Sequence, residues 1–290
     1  MTPRSDAGTS YRECRFTSQD GLSLYYRDYG DPLSARTPVL CLPGLTRNSK
    51  DFDRVATRLA ADRRVLCLDY RGRGRSQYDP DWRNYVPATY LNDIRHLLAA
   101  TGLHRVIVLG TSMGGLLACG MAVAMPTALA AAVINDVGPD INGEGLGKIV
   151  TYLRDSQPLP DWDTVIARLR ASFPNLPAYE DGDWFTIAEA TYRQGDDGRL
   201  HPDWDPALVK PLLADATYGY ELWVLFRALR RVPVLMVRGA KSDVLSAATF
   251  ERMGAALPHA RRVTLAGVGH APNLSEPQAK EAIDALLREF

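Results

Sequence analysis

Hydrophobic and polar residues follow two rhythms along this chain, and the switches between them mark its elements. CRFTSQDGLSLYYRDYG carries two alternating runs around Asp20-Gly21, a pattern that predicts a β-hairpin. Short runs that are apolar on both faces recur downstream. TPVLCLPG, RRVLCLDY, HRVIVLG, ALAAAVINDVG, VPVLMVRG and ARRVTLAG read as buried strands. Segments with helical spacing lie between them. SKDFDRVATRLAADRR sets Phe52, Val55, Leu59 and Ala60 on one face, and PATYLNDIRHLLAATGL reads as a helix stopped by Gly102. SMGGLLACGMAVAMP, SAATFERMGAALP and SEPQAKEAIDALLREF complete the set. Strands apolar on both faces and separated by helices predict an α/β fold, with a mainly parallel sheet covered on both sides. In such sheets ligands bind at the carboxyl ends of the strands, so residues just past a strand carry most interest.

The alternation breaks between about Pro139 and Arg231. This stretch has helical fragments, several prolines and no clear strand, and it holds four of the five tryptophans: Trp162, Trp184, Trp204 and Trp223. It reads as a helical cap, 139–231, inserted between two parts of one core, 1–138 and 232–290. Most of its aromatics are expected to pack its own small core. Trp184, Trp223 and Tyr218 are the candidates for lining a pocket.

Composition narrows the partners. The 290 residues include 34 Lys plus Arg and 34 Asp plus Glu, so no global field draws nucleic acid or an anionic membrane. No charge falls between Arg105 and Asp136, yet the Gly/Ser cluster and Pro126 break that run, and it reads as buried strand and helix rather than a membrane span. The N-terminal MTPRSDAGTSYREC has no apolar signal core. Cys14, Cys41, Cys67 and Cys119 lie far apart without CxxC spacing, which fits reduced thiols and a cytoplasmic location. No His/Cys cluster suggests a metal and no phosphate loop or dinucleotide fingerprint is complete, so no cofactor is expected.

The sharpest motif is VIVLGTSMGGLLACG. A strand is followed by G-x-S-x-G and then a helix, which predicts a tight turn with Ser112 at its tip and minimal side chains at Gly110 and Gly114. The turn presents the hydroxyl at a helix N-terminus, where the Met113 N–H can meet an oxyanion. A serine nucleophile needs a base, and the base an orienting acid. Of five histidines, His270 in LAGVGHAPNLSEP follows the last strand in a glycine-flanked loop, the place for a base in the order Ser, acid, His. Two carboxylates follow strands between them. Asp243, after VPVLMVRGAKS, fits the commoner chain position; Asp136, after ALAAAVIN, is the alternative acid. LCLPGLTRNS supplies a second oxyanion donor, the N–H of Leu45.

Together LPGLTRN, DYRGRGRS, GTSMGG, RGAKSD and GVGHAPN resemble the α/β-hydrolase fold superfamily over nearly the whole chain. The resemblance implies an eight-stranded sheet with a helical cap after the sixth strand. It implies Ser112, Asp243 and His270 as nucleophile, acid and base, with Leu45 and Met113 as oxyanion donors. Many relatives carry His-Gly before the oxyanion loop where this chain has Leu42-Pro43-Gly44. The expected chemistry is hydrolysis of a small or medium, largely apolar carboxylic ester or lactone. The same triad also supports C–C bond hydrolysis, acyl transfer, or a binding protein with little turnover.

Overall fold

The computed structural model describes residues 11–140, 143–176, 181–214 and 221–290, apart from the side chains of 143–146 and 181–182. The predicted hairpin is β1 (Tyr11–Thr17) and β2 (Ser23–Tyr29), turning through Gly21 at φ +87°. β3 (Val39–Leu42) is wholly buried and leads through a 3₁₀ turn into α1 (Asp53–Leu59). β4 (Val65–Leu68) and α2 (Pro87–Thr101) follow, and the helix ends at Gly102 in the left-handed region at φ +66°. β5 (Val106–Thr111), α3 (Met113–Ala124) and β6 (Leu129–Asn135) account for the uncharged run, with β6 buried at every position.

The segment after β6 is mainly helical: α4 (Gly143–Arg154), α5 (Trp162–Ser172), α6 (Asp181–Thr191), α7 (Val209–Leu213) and α8 (Leu222–Ala228). It also holds a small antiparallel hairpin that the sequence pattern hides, β7 (Tyr192–Gln194) and β8 (Leu200–Pro202). Three-residue strands, one containing a proline, leave no readable alternation. The chain returns through β9 (Val234–Gly239), α9 (Ala247–Ala256), β10 (Arg261–Leu265) and α10 (Pro277–Leu287).

The eight long-range strands form one sheet in the order β1-β2-β4-β3-β5-β6-β9-β10. β1 and β2 run antiparallel at one edge, and the ladder from β4 to β10 is parallel. Two apolar cores follow from strands buried on both faces. One holds Leu40, Val108 and Ile134 against α2 and α3; the other holds Cys41, Leu109 and Val133 with the apolar faces of α1 and α10. Cys41, Cys67 and Cys119 are buried, Cys14 is partly exposed, and all four are free thiols. No described helix is long and apolar enough to cross a membrane.

The three arginines of DYRGRGRS divide sharply. Buried Arg71 binds Asp93, Asp79 and Asp20, and its hydrogen bonds pull the Asp20 carboxyl down to about 2. Arg75 pairs with Glu13 at the surface. Arg73 is fully buried, lies over Tyr70, Tyr85 and Tyr90, and has no carboxylate partner among the described residues.

Candidate active site

The register of β5, β6 and β9 builds the site. β5 and β6 pair through Thr111 and Asn135, and β6 and β9 pair through Asn135 and Val237. The residues just past β5 and β6, Ser112 and Asp136, therefore emerge side by side at the carboxyl edge of the sheet. Ser112 N–H donates to Asn135 O at 2.9 Å, and Asp136 N–H donates to Val237 O at 2.8 Å.

Ser112 sits at φ 53°, ψ −118°, between strand and helix. That conformation is costly for a residue with a Cβ and survives only where the surroundings enforce it. The glycines around it show how. A Cβ at Gly110 would fall 2.3 Å from Gly114 O, and one at Gly114 would fall 2.0 Å from Leu42 O. Both contacts are with backbone, so nothing larger fits, and the turn closes tightly enough to lift the Ser112 side chain clear of the sheet.

His270 reaches this serine from the loop after β10. Its Nε2 lies 3.1 Å from Ser112 Oγ, and its Nδ1 lies 2.8 Å from Asp136 Oδ2. Asp136 has no exposed side-chain surface, and its other oxygen accepts the Gly239 N–H at 2.8 Å. A buried carboxylate fixed by a backbone donor holds the imidazole in one tautomer, with Nδ1 protonated and Nε2 free to take a hydroxyl proton.

The expected acid, Asp243, is not at this histidine. It lies on the turn before α9, about half exposed, with its Oδ2 3.0 Å from Lys148 Nζ. The reason is at the end of β9. A Cβ at Gly239 would meet Gly269 O at 2.5 Å and Val268 O at 2.6 Å, so the loop carrying His270 packs directly on the strand end. The chain then turns away, with Ser242 Oγ accepting the Val244 and Leu245 N–H groups, and Asp243 faces outward.

Asn135 completes the frame. Its Nδ2 donates to Thr111 Oγ1 and to Pro272 O, tying β5, β6 and the His270 loop together. On the other side of Ser112, Gly44 lies close enough that an added methyl would sit 3.6 Å from Ser112 Cβ. The loop from Gly44 to Arg47 therefore flanks the hydroxyl, and among the described residues neither Leu45 N–H nor Met113 N–H has a protein acceptor. Leu45 is held from behind, where Arg73 Nε donates to its carbonyl at 2.8 Å and Arg73 Nη1 donates to Tyr90 Oη, also at 2.8 Å. Nothing in the sequence separates Arg73 from its two neighbouring arginines; Arg71 is equally buried but spends its donors on three carboxylates, whereas Arg73 spends its on Leu45 O, Arg71 O and Tyr90.

A cavity of about 330 Å³ opens over Ser112 and His270. The loop from Gly44 to Arg47 and the start of α1 form one wall, and Ile149, Tyr152, Leu169, Phe173 and Ile187 form much of the other. Trp184 and Trp223, expected at the pocket, are not in its lining. Trp184 lies under Arg170, while Trp223 donates from Nε1 to Asp140 at 2.7 Å and stacks with Arg252. Tyr218 lies outside the described residues. Among the described residues no cluster of His, Cys, Asp and Glu could hold a metal ion.

Known hydrolases resemble this chain over most of its length. The 3-hydroxybutyrate-oligomer hydrolase of Cupriavidus necator is 35% identical over 264 residues, spanning 88% of this chain and 89% of that protein. The 2-(acetamidomethylene)succinate hydrolase of Mesorhizobium japonicum is 28% identical over 83% of this chain and 84% of its own. The crystal structure of an alpha/beta hydrolase from Novosphingobium aromaticivorans superposes with a TM-score of 0.92 at 42% identity, covering 98% of this chain and 100% of that one. Residues 39–282, from the first buried strand into the last helix, match the alpha/beta hydrolase family. With its eight-stranded sheet, the serine turn after β5 and hydrolase relatives across most of its length, the chain belongs to the alpha/beta hydrolase family.

Proposed function

We propose that this hydrolase is a serine esterase that cleaves short carboxylic esters of small hydroxy acids through an acyl-enzyme on Ser112. The observation that carries the reading is the continuous chain from Ser112 Oγ through His270, both lining the cavity, to Asp136 buried behind them. Ser112 Oγ attacks the ester carbonyl as its proton passes to His270 Nε2. Asp136 holds the imidazole and stabilises its charge. Leu45 and Met113 N–H groups receive the oxyanion, and one such donor is worth about 3 kcal/mol of barrier. The C–O bond then breaks, the alcohol leaves with the proton from His270, and a water activated by His270 releases the acid. A lactone would open by the same steps.

The substrate class rests on two supports. The relative from Cupriavidus necator is named for hydrolysis of 3-hydroxybutyrate oligomers, which are linear esters of a small hydroxy acid. The far wall of the cavity is largely aliphatic and aromatic, suited to methyl-bearing chains.

The test is intact mass after treatment with a fluorophosphonate, on wild type and on Ser112→Ala. One adduct on the wild type and none on the variant is expected, with turnover lost by about 10⁴-fold or more in Ser112→Ala. A folded wild type that takes no adduct would replace this reading with a ligand-binding one.

A further inference from the structure

We propose that Arg47 anchors a free carboxylate at one end of the substrate, so that the site takes ester-linked hydroxy acids from their acid terminus. This rests on the esterase reading above.

Arg47 lines the cavity on the oxyanion-loop side. A methyl placed on Gly44 would lie 3.4 Å from Arg47 Cγ and 3.6 Å from Ser112 Cβ, so the stem of Arg47 and the serine flank one small space. The guanidinium is held in place from two sides. Its Nε donates to Asp51 Oδ2 at 2.8 Å and its Nη2 donates to Asp51 Oδ1 at 2.5 Å. Its Nη1 donates to Thr191 Oγ1, at the end of α6. An arginine carries five N–H donors, so two remain, one on each terminal nitrogen. Burial disfavours the charge, but Asp51, with smaller contributions from Tyr152 and Asp203, more than offsets it and holds the guanidinium above its ordinary range.

The other cations of the lining are engaged elsewhere. Lys50 Nζ donates to Asp203 and to Glu189 O, and Arg54, more than half exposed, pairs with Asp183. Arg47 is the one placed beside the serine. Because Asp51 balances its charge, recognition comes from two directed donors rather than a general field, which selects a planar acceptor such as a carboxylate. Leu169 and Phe173 face the same cavity and accommodate the carbon chain that joins the acid to the scissile ester.

The experiment compares the linear dimer of 3-hydroxybutanoic acid with the same dimer capped as its terminal primary amide. Wild type should favour the free acid in kcat/KM by about 10- to 100-fold, the range expected for charge-assisted hydrogen bonds. Arg47→Met should bring that ratio to within about threefold of one, and Arg47→Lys should restore part of it. Equal rates for the two dimers on wild type, or an unchanged ratio in Arg47→Met, would overturn the proposal.

A second measurement needs no variant. 3-Hydroxybutanoate should inhibit wild-type hydrolysis of para-nitrophenyl butanoate at concentrations at least about 10-fold lower than 3-hydroxybutanamide does. Equal inhibition by the two also overturns the assignment. Absence of both the fluorophosphonate adduct and para-nitrophenyl butanoate turnover removes the esterase reading and Arg47 with it. Adduct and turnover without acid preference remove Arg47 alone.

Discussion

The carboxyl ends of β6 and β9 invite a direct comparison. Both strands are buried throughout, they pair in parallel, and each is followed by an aspartate before the chain reaches a helix. One aspartate touches His270 and the other touches a surface lysine. Asp136 is the first residue after its strand, and the neighbouring strand fixes it through Val237 O and Gly239 N–H. Asp243 comes several residues past its strand, beyond a turn that Ser242 closes. A carboxylate placed by strand register inherits the precision of the sheet, whereas one placed by a loop points where that loop turns.

The largest expected effect separates the two aspartates. Asp136→Asn should lower kcat toward a para-nitrophenyl ester by about 10⁴-fold, the cost of a wrongly held imidazole. Asp243→Asn should stay within about twofold of wild type in the same assay. A larger loss from Asp243→Asn would invert the comparison. Next comes Gly239→Ala, which puts a methyl against the backbone of the His270 loop. It should cost about 1–3 kcal/mol in a denaturant melt, by overpacking, and should slow fluorophosphonate labelling of Ser112 as His270 is displaced. Wild-type stability and labelling in that variant would mean that the strand end has room after all. The smallest effect is on stability at Asp243 itself. Loss of an exposed ion pair with Lys148 should change unfolding free energy by less than about 1 kcal/mol. A shift of several kcal/mol in the thermal or urea midpoint would show that the end of β9 depends on Asp243 after all.

The same contrast explains what could be read from the sequence. The serine turn is legible because its geometry demands glycine at Gly110 and Gly114, where any Cβ strikes backbone. His270 is legible because it follows the last strand and is flanked by glycine. The partner acid is not, since chain order allows either aspartate and only the packing of Val268 and Gly269 on Gly239 decides between them. One signal was present. Asp136 is the first charge after a run with none from Arg105, at the end of a strand that is apolar up to Asn135. A lone charge there needs a buried partner. Asp243, beside Lys241 and Ser242, sits in ordinary turn chemistry. The aromatic residues misled for a related reason. Trp223 is tied to Asp140 and Arg252 and Trp184 lies under Arg170, both outside the cavity lining, whereas Trp204, buried against Tyr152 and Tyr192, packs the segment's own core, as is expected of most of its aromatics.

The loop from Gly44 to Lys50 has two attachments. Gly44 and Leu45 stand beside Ser112, while Asn48 Nδ2 bonds Ala190 O and Asp203, and Arg47 and Lys50 reach Thr191 and Asp203. For anyone altering the specificity of this hydrolase, the two ends are one lever. Substitutions at Thr191 or Asp203, which hold Arg47 and Lys50, should also shift the loop that flanks Ser112. Their effects should therefore be epistatic with changes at Leu45, and libraries that vary the helical segment alone will explore only part of the accessible specificity.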